Sequence, residues 1–217
     1  MAVATAVVLL GGSIAPFLAP PVVHFEQDRS DVGDLTGFTR PGIDRITDSM
    51  LGDLVFWVGD FDVNREEFRS CLCPVLNDAE RAHMRDVRNV FTGVWILVFA
   101  SIAVLAVGFR GARAGAEARA AAWRSVSAGA RGLAVAIVVA GAFVIFAFEA
   151  TFEVFHRLFF SAGSYTFDPA HDRLVQLFPE RFWSEISIAV GAVVLAVSIL
   201  TWLFARRRAA RIGQAAT

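Results

Sequence analysis

Lysine is absent from this sequence of 217 residues: all twenty basic residues are arginine, and charged residues make up only 19% of the chain. The formal net charge is −1, and no basic stripe exists outside short segments. Nucleic-acid binding depends on clustered cations that neutralise phosphates, so this charge balance argues against a nucleic-acid partner.

Two kinds of reactive site are also missing from the sequence. It has no convincing G-x-S-x-G motif, which argues against the serine nucleophile of the α/β-hydrolases. Its only two cysteines, Cys71 and Cys73, are separated by a single residue, whereas closed zinc sites use C-x₂₋₄-C pairs. We therefore expect no metal, although a site made by these cysteines and a nearby histidine is an alternative.

Apolar residues are abundant, at 56% of the chain, and they are gathered in long runs. Each run can cross a hydrocarbon core of about 30 Å, which requires about 20 helical residues. In lipid the backbone must form its hydrogen bonds within the segment, so the runs are predicted to be helices. The sequence thus predicts an all-α integral membrane protein with four transmembrane helices, at Ala2–Val23, Val90–Phe109, Gly132–Phe152 and Ser187–Phe204.

The connecting segments differ in charge. Residues 24–89 carry a net charge of −6 and residues 149–185 a net charge of −3, whereas residues 110–131 and the tail at 206–211 each carry +4. Arginine-rich loops stay in the cytoplasm, so the 110–131 loop and both termini are predicted to be cytoplasmic. Residues 24–89 then form a large extracytoplasmic cap, and 153–186 a shorter, re-entrant-like outer loop.

The first apolar run resembles a signal peptide only superficially. It has no basic region before it, and Ala19 of its single A-x-A-like site is followed by Pro20 and Pro21. We expect a retained first helix that is broken or ends between Pro16 and Pro21.

All four histidines fall on the predicted outer side: His24, His83, His156 and His171. Histidine has an ordinary pKa of about 6.5, so it can accept and release protons near neutral pH. Side chains suited to proton exchange are therefore gathered on the predicted outer side.

The first motif is ERAHMRDVRNVF, residues 80–91. On a helix His83 and Asp86 are three residues apart and share a face, so the carboxylate can accept the imidazole N–H and fix its tautomer. An interfacial helix start with ordinary charge pairing explains the same residues equally well.

The second motif extends from Phe155 to Trp183 and contains FHRLFF, SYTFDP and LFPERFW. Phenylalanines surround His156, and Asp168–Pro169 and Phe178–Pro179 mark turns or helix breaks. The segment suits a re-entrant or surface-lying structure, with an amphipathic cap that only closes the helix bundle as the alternative.

In combination the two motifs resemble those of an integral membrane family, the lipoprotein intramolecular transacylases (Lit). The resemblance covers the four helices, the large first outer loop, the HM-x-DV element and the FH-x-LFF…F-D-P…LFPE-x-FW element. The sequence departs from the family pattern at Tyr165, where tryptophan is expected, and at Arg88, where lysine is expected.

The resemblance implies an acyl shift within a bacterial lipoprotein whose N-terminal cysteine carries a diacylglyceryl group. The sn-2 ester acyl chain would move to the cysteine α-amine and leave a lyso-form lipoprotein. The expected partners are this substrate and membrane lipids, in the bacterial cell membrane, without a cofactor.

Within this reaction we expect His83 and His156 to be the catalytic pair, with base and acid unassigned. Asp86 is the candidate for orienting a histidine, and Arg88 and Arg157 are candidates for stabilising an oxyanion or holding a lipid headgroup. Glu149 and Glu153 are candidate partners for a histidine or an arginine. For each of these secondary residues, local salt bridging is an equally good explanation. The candidate acyl pocket consists of Phe155, Phe159, Phe160, Tyr165 and Phe167.

Two alternatives belong to other functional classes. Histidines at one face of four helices are compatible with bis-histidine ligation of a b-type haem. The chain is also compatible with a non-catalytic membrane scaffold whose acidic outer loop binds a partner. The sequence does not determine the oligomeric state.

Overall fold

The computed structural model describes residues 1–63 and 74–214, and every regular element in these ranges is helical. This confirms the all-α prediction for the described residues. Cys71 and Cys73, on which the alternative metal site depends, lie outside them. The chain divides into two compact units, one of Met1–Pro16, Gly93–Phe146 and Ile188–Thr217, the other of Phe17–Thr92 and Ala147–Ser187.

The first unit is built from long apolar helices. It contains α1 (Ala2–Ile14), α6 (Ala116–Phe146) and most of α5 (Asp78–Gly111) and α9 (Glu180–Gln214). Trp123 joins three of them, because its ring lies 5.2 Å from that of Phe109 and 5.6 Å from that of Phe204. Gly129 permits the backbone of α6 to approach Ala2, where any Cβ would collide with the Ala2 carbonyl.

Three helical segments are long and apolar enough to cross a membrane: Asp78–Ala114, Ala116–Phe146 and Glu180–Gln214. A fourth span exists if Ala2–Leu18 and Pro20–Arg29, which meet at a bend of 70°, are taken as one broken segment. The break at the prolines was predicted: Ala19, at ψ 131°, has the extended backbone that a following proline imposes.

The third predicted helix differs from its predicted bounds. The sequence predicted one run over Gly132–Phe152, but α6 ends at Phe146 and α7 (Phe148–Phe159) begins after Ala147. Ala147 has φ −149° and ψ 54°, which interrupts the helix. Neither glycine nor proline is present at 145–149, so the sequence carries no signal for this break.

The second unit contains the shorter helices. These are α2 (Pro20–Arg29), α3 (Val32–Thr36), α4 (Arg40–Phe56), the start of α5, α7 and α8 (Arg173–Leu177). Met50–Asp60, whose sequence is compatible with either a short helix or a strand, is helical up to Phe56, where α4 ends. The unit has its own apolar core, which includes Met50, Phe61, Leu76, Met84 and Leu177.

Candidate active site

The start of α5 is fixed by a reciprocal cap. Asn77 Oδ1 accepts the Glu80 backbone N–H at 3.0 Å, and Glu80 Oε2 accepts the Asn77 N–H at 2.7 Å, which is a capping box. Glu80 Oε1 also accepts the Leu174 N–H at 2.6 Å and so ties α8 to α5. His83 follows Glu80 by three residues. It therefore lies in the first turns of α5, which Glu80 connects to Asn77 and to α8.

His83 on α5 and His156 on α7 are brought together by the fold. Their ring centroids are 6.0 Å apart and their planes are inclined by only 22°. Both side chains are buried, with 6% and 8% of their surface exposed. Two histidines separated by 73 residues in sequence thus share one site.

Aromatic rings enclose this pair. His83 contacts the rings of Phe160 at 4.8 Å and Phe167 at 5.5 Å. His156 contacts four aromatic rings. The centroid distances are 4.1 Å to Phe152, 5.4 Å to Phe155, 5.4 Å to Phe160 and 5.0 Å to Tyr165. The histidines therefore lie in a largely apolar, aromatic enclosure.

Phe159 and Phe152 lie differently with respect to the two histidines. Phe159 is half exposed and packs on Phe155 at 5.0 Å; it makes no ring contact with either histidine among the described residues. Phe152, which was not assigned to the pocket, has the ring nearest to His156. Its spacing of four residues before His156 on one helix is the signal that sequence reasoning missed.

The two imidazoles have different hydrogen bonds. His156 Nδ1 lies 2.8 Å from the Phe152 carbonyl oxygen. A carbonyl only accepts, so Nδ1 carries the proton in the neutral ring and Nε2 keeps its lone pair. The Nδ1 of His83 is buried and has no hydrogen-bond partner in the described part of the chain.

Burial and, to a smaller extent, repulsion from His156 lower the pKa of His83 to about 4, while the charge of Asp86 acts in the opposite direction. His83 precedes the apolar stretch that starts at Val90, so it lies outside the predicted transmembrane segment. At neutral pH its imidazole is uncharged, which is the form that can accept a proton.

The predicted orienting and oxyanion residues are only partly near the histidines. Asp86 is exposed and makes no hydrogen bond to His83 Nδ1. Arg88 is instead directed to the segment after α4: its guanidinium donates to the Gly59 carbonyl at 2.9 Å and to Asp60 at 3.3 Å. Asp86 therefore acts on His83 through its charge, and Arg88 contacts a different part of the second unit.

Glu153 and Arg157 form a pair on α7. Arg157 Nε donates to Glu153 Oε1 at 2.7 Å, and the Tyr165 hydroxyl is 3.4 Å from the same oxygen. Tyr165 touches His156, so this pair supports one wall of the enclosure. Glu149 is exposed, and no hydrogen bond or ion pair holds it within residues 1–63 and 74–214.

No cluster of three or more histidine, cysteine, aspartate or glutamate side chains is arranged to hold a metal among the described residues. The site thus consists of two close imidazoles in an aromatic enclosure.

A model of the family described as "Lipoprotein intramolecular transacylase Lit" matches residues 1–183. The chain belongs to this family. Membership implies a bacterial membrane acyltransferase that acts on lipoproteins, and the match includes both histidines and the whole of the second motif.

Three solved structures of the membrane-integral Lit from Bacillus cereus are similar to this Lit-family chain. One has a TM-score of 0.74 at 20% identity and covers 97% of this chain and 92% of that one. Two others carry a histidine replaced by arginine or by alanine, with TM-scores of 0.67 and 0.66 at 20% identity. They cover 99% and 97% of this chain and 90% of theirs. At this identity the likeness shows the fold. A search of curated protein sequences found no match.

Proposed function

We propose that this protein moves the sn-2 ester acyl chain of a diacylglyceryl-modified lipoprotein to the α-amine of its N-terminal cysteine. The observation that carries the proposal is the His83–His156 pair, at 6.0 Å, inside an aromatic enclosure. The family supplies the reaction class, and the geometry supplies groups suited to its proton transfers.

The reaction needs two proton movements. The cysteine α-ammonium, with an ordinary pKa near 8, must lose a proton before its nitrogen can attack the ester carbonyl carbon. A histidine with an available lone pair accepts that proton, as His156 Nε2 can. When the tetrahedral intermediate collapses, the C–O bond to glycerol breaks and the glycerol oxygen takes a proton from the histidine pair. The second proton lost by the nitrogen leaves to water, and the products are an amide and a free hydroxyl.

The enzyme needs no covalent intermediate, because amine and ester belong to one substrate molecule. Holding the two groups in reacting geometry supplies much of the acceleration. Phe155, Phe160, Tyr165 and Phe167 offer apolar surface for the acyl chains beside the histidines. The roles of base and acid belong to the His83–His156 pair as a whole, since the two rings are only 6.0 Å apart.

Membrane orientation follows from the charge pattern. We infer cytoplasmic termini and a site at the outer leaflet, where the diacylglyceryl group of a lipoprotein resides. Residues 24–89 then form the outer cap above the membrane, and 153–186 the second outer loop.

The decisive experiment is mass spectrometry of the N-terminal peptide of a reporter lipoprotein incubated with membranes that contain the protein. Wild type should give an N-acyl, mono-ester species of unchanged total mass. His83→Ala and His156→Ala should each leave the diacylglyceryl peptide. The matched control is His171→Ala, because His171 is in the same unit but is exposed and paired with Asp168. Full conversion by both site variants would refute histidine catalysis.

A further inference from the structure

The end of α4 exposes three large apolar side chains in succession. Phe56, Trp57 and Val58, here called the apolar tip, have 76%, 53% and 77% of their surface exposed. The transacylase reaction gives them no role. A contiguous exposed apolar patch in a folded unit marks a surface for lipid or for another protein.

The backbone holds the tip in this exposed position. Trp57 ends α4 in the left-handed conformation, at φ 56°, and Phe61 has φ 58°. Such angles are unfavourable for residues other than glycine and persist only where the surroundings enforce them. Here the Asp53 carboxylate accepts the Phe61 N–H at 2.7 Å, and Phe61 itself is fully buried.

Arg88 connects the tip to α5. Its guanidinium carbon lies 4.2 Å from the centre of the Trp57 ring and 5.2 Å from that of Phe61, within the range of a cation–π contact. Arg88 is 8% exposed, and its Nε is buried without a hydrogen-bond partner in the described residues. The indole is therefore fixed at the height of Arg88 along α5.

This height corresponds to the headgroup layer of a bilayer. Arg88, Arg85 and Arg81 precede the apolar stretch beginning at Val90 by two, five and nine residues of one continuous helix. With a rise of 1.5 Å per residue, they lie about 3, 8 and 14 Å above its start. Headgroups occupy about 5–8 Å on each side of the hydrocarbon, so Arg88 and Arg85 fall in or next to this layer.

Arg85 offers a cation at this level, with 39% of its side chain exposed. Asp60 is shared by all three arginines, at 3.3 Å from Arg88, 3.1 Å from Arg85 and 3.8 Å from Arg81. Arg81 has a second acidic neighbour, Asp78, at 3.9 Å. Arg85 bonds Asp60 through Nη1 only, so an arginine that is partly exposed in this layer can also bind a lipid phosphate.

We propose that the apolar tip inserts into the surface of the lipid bilayer and that Arg85 binds the phosphate of an anionic phospholipid beside it. Tryptophan suits this position, because its ring is apolar while its N–H can bond to the interface. The contact anchors the second unit to the membrane through α4, independently of the acyl-transfer chemistry.

The first test measures Trp57 fluorescence in the full-length protein, reconstituted in vesicles of phosphatidylcholine and phosphatidylglycerol. The Trp57 signal is the difference between wild type and Trp57→Phe, which keeps an aromatic ring against Arg88. Lipids brominated near the headgroup end of the chain should quench this signal more than lipids brominated near the methyl end. Absence of quenching by either lipid, with quenching by aqueous iodide, would overturn the proposal.

Two more variants test the apolar and the charged part separately. Val58→Asp should reduce the bromolipid quenching of Trp57, since it places a charge in the tip. Arg85→Gln should lower the phosphatidylglycerol that co-purifies with the protein, while the control Arg45→Gln, an exposed arginine of α4, should not. An equal decrease of co-purified phosphatidylglycerol in Arg85→Gln and Arg45→Gln would overturn the proposed phosphate site at Arg85. Protection of Trp57 from iodide only after addition of a lipoprotein would overturn the proposal in favour of a substrate-protein contact.

Discussion

At the scale of single residues, the depressed pKa of His83 follows from its surroundings. The ring is buried among aromatics, and its Nδ1 has no hydrogen-bond partner among the described residues, so nothing there compensates the loss of water around the charged form. An unfolded histidine has a pKa of about 6.5, so the folded state loses stability as the pH falls from there to about 4. Above that window the ring is neutral and can serve as a base.

Two substitutions should move the pKa of His83 in opposite directions. Asp86→Asn removes the negative charge that raises this pKa and should lower it slightly, because water screens the exposed carboxylate. His156→Phe removes the neighbouring ring that lowers the pKa and keeps the site aromatic, so the pKa should rise. Titration of isotope-labelled His83 by NMR in detergent measures both. Shifts of the same sign in the two variants would contradict this account of the site.

The wall formed by Tyr165 gives a second prediction. Its ring contacts His156, while its hydroxyl is 3.4 Å from Glu153 Oε1 and also interacts with the Arg157 side chain. Tyr165→Phe and Tyr165→Trp should therefore keep most of the acyl-transfer rate. Tyr165→Ala should lower it by about tenfold or more, since lost aromatic packing costs about 1–3 kcal/mol and frees His156 to move. Rates come from the lipoprotein peptide assay, and equal loss in Tyr165→Phe and Tyr165→Ala would mean that the hydroxyl, not the ring, matters.

At the scale of elements, short caps and breaks position the site as much as the long helices do. The capping box at Asn77 and Glu80 could be recognised from the sequence, since asparagine precedes glutamate by three residues before an apolar run. The long-range bond from Glu80 to Leu174 could not, because it joins residues 94 positions apart. The same holds for the break at Ala147, which directs α7 and thus His156 without any proline or glycine.

Glu80 is expected to hold α5 and α8 together through both carboxylate oxygens. Glutamine offers only one acceptor, so Glu80→Gln should leave either the Asn77 or the Leu174 N–H unpaired and cost about 1–3 kcal/mol of stability. Thermal unfolding in detergent should show a lower midpoint, and acyl transfer should slow. The control is Asp78→Asn, an exposed acidic residue in the same helical turn, which should change neither. An unchanged midpoint for Glu80→Gln would contradict the role of this bridge.

At the scale of the whole molecule, the sequence predicted the helical class and the apolar stretches, because hydropathy is a local property. The two motifs singled out His83 and His156 as candidates for the site. Proximity of His83 and His156 was an inference from the resemblance, and the rings prove to be adjacent. The first span was harder to judge, since Pro16, Pro20 and Pro21 divide it into helices that bend by 70°. Orientation across the membrane depends on arginine placement alone, and it leads to a separate prediction.

Cytoplasmic location of residues 110–131 and outer location of residues 153–186 can be tested in one background. Cys71 and Cys73 are first replaced by serine, and single cysteines are then introduced as Arg113→Cys and Ser161→Cys, both at exposed positions. A membrane-impermeant maleimide should label Ser161→Cys in intact spheroplasts and should label Arg113→Cys only after lysis, because the net charge of +4 retains the 110–131 loop inside. The acyl-transfer assay shows that each variant is folded. Labelling of Arg113→Cys in intact cells would reverse the orientation and move the histidine pair away from the leaflet that carries mature lipoproteins.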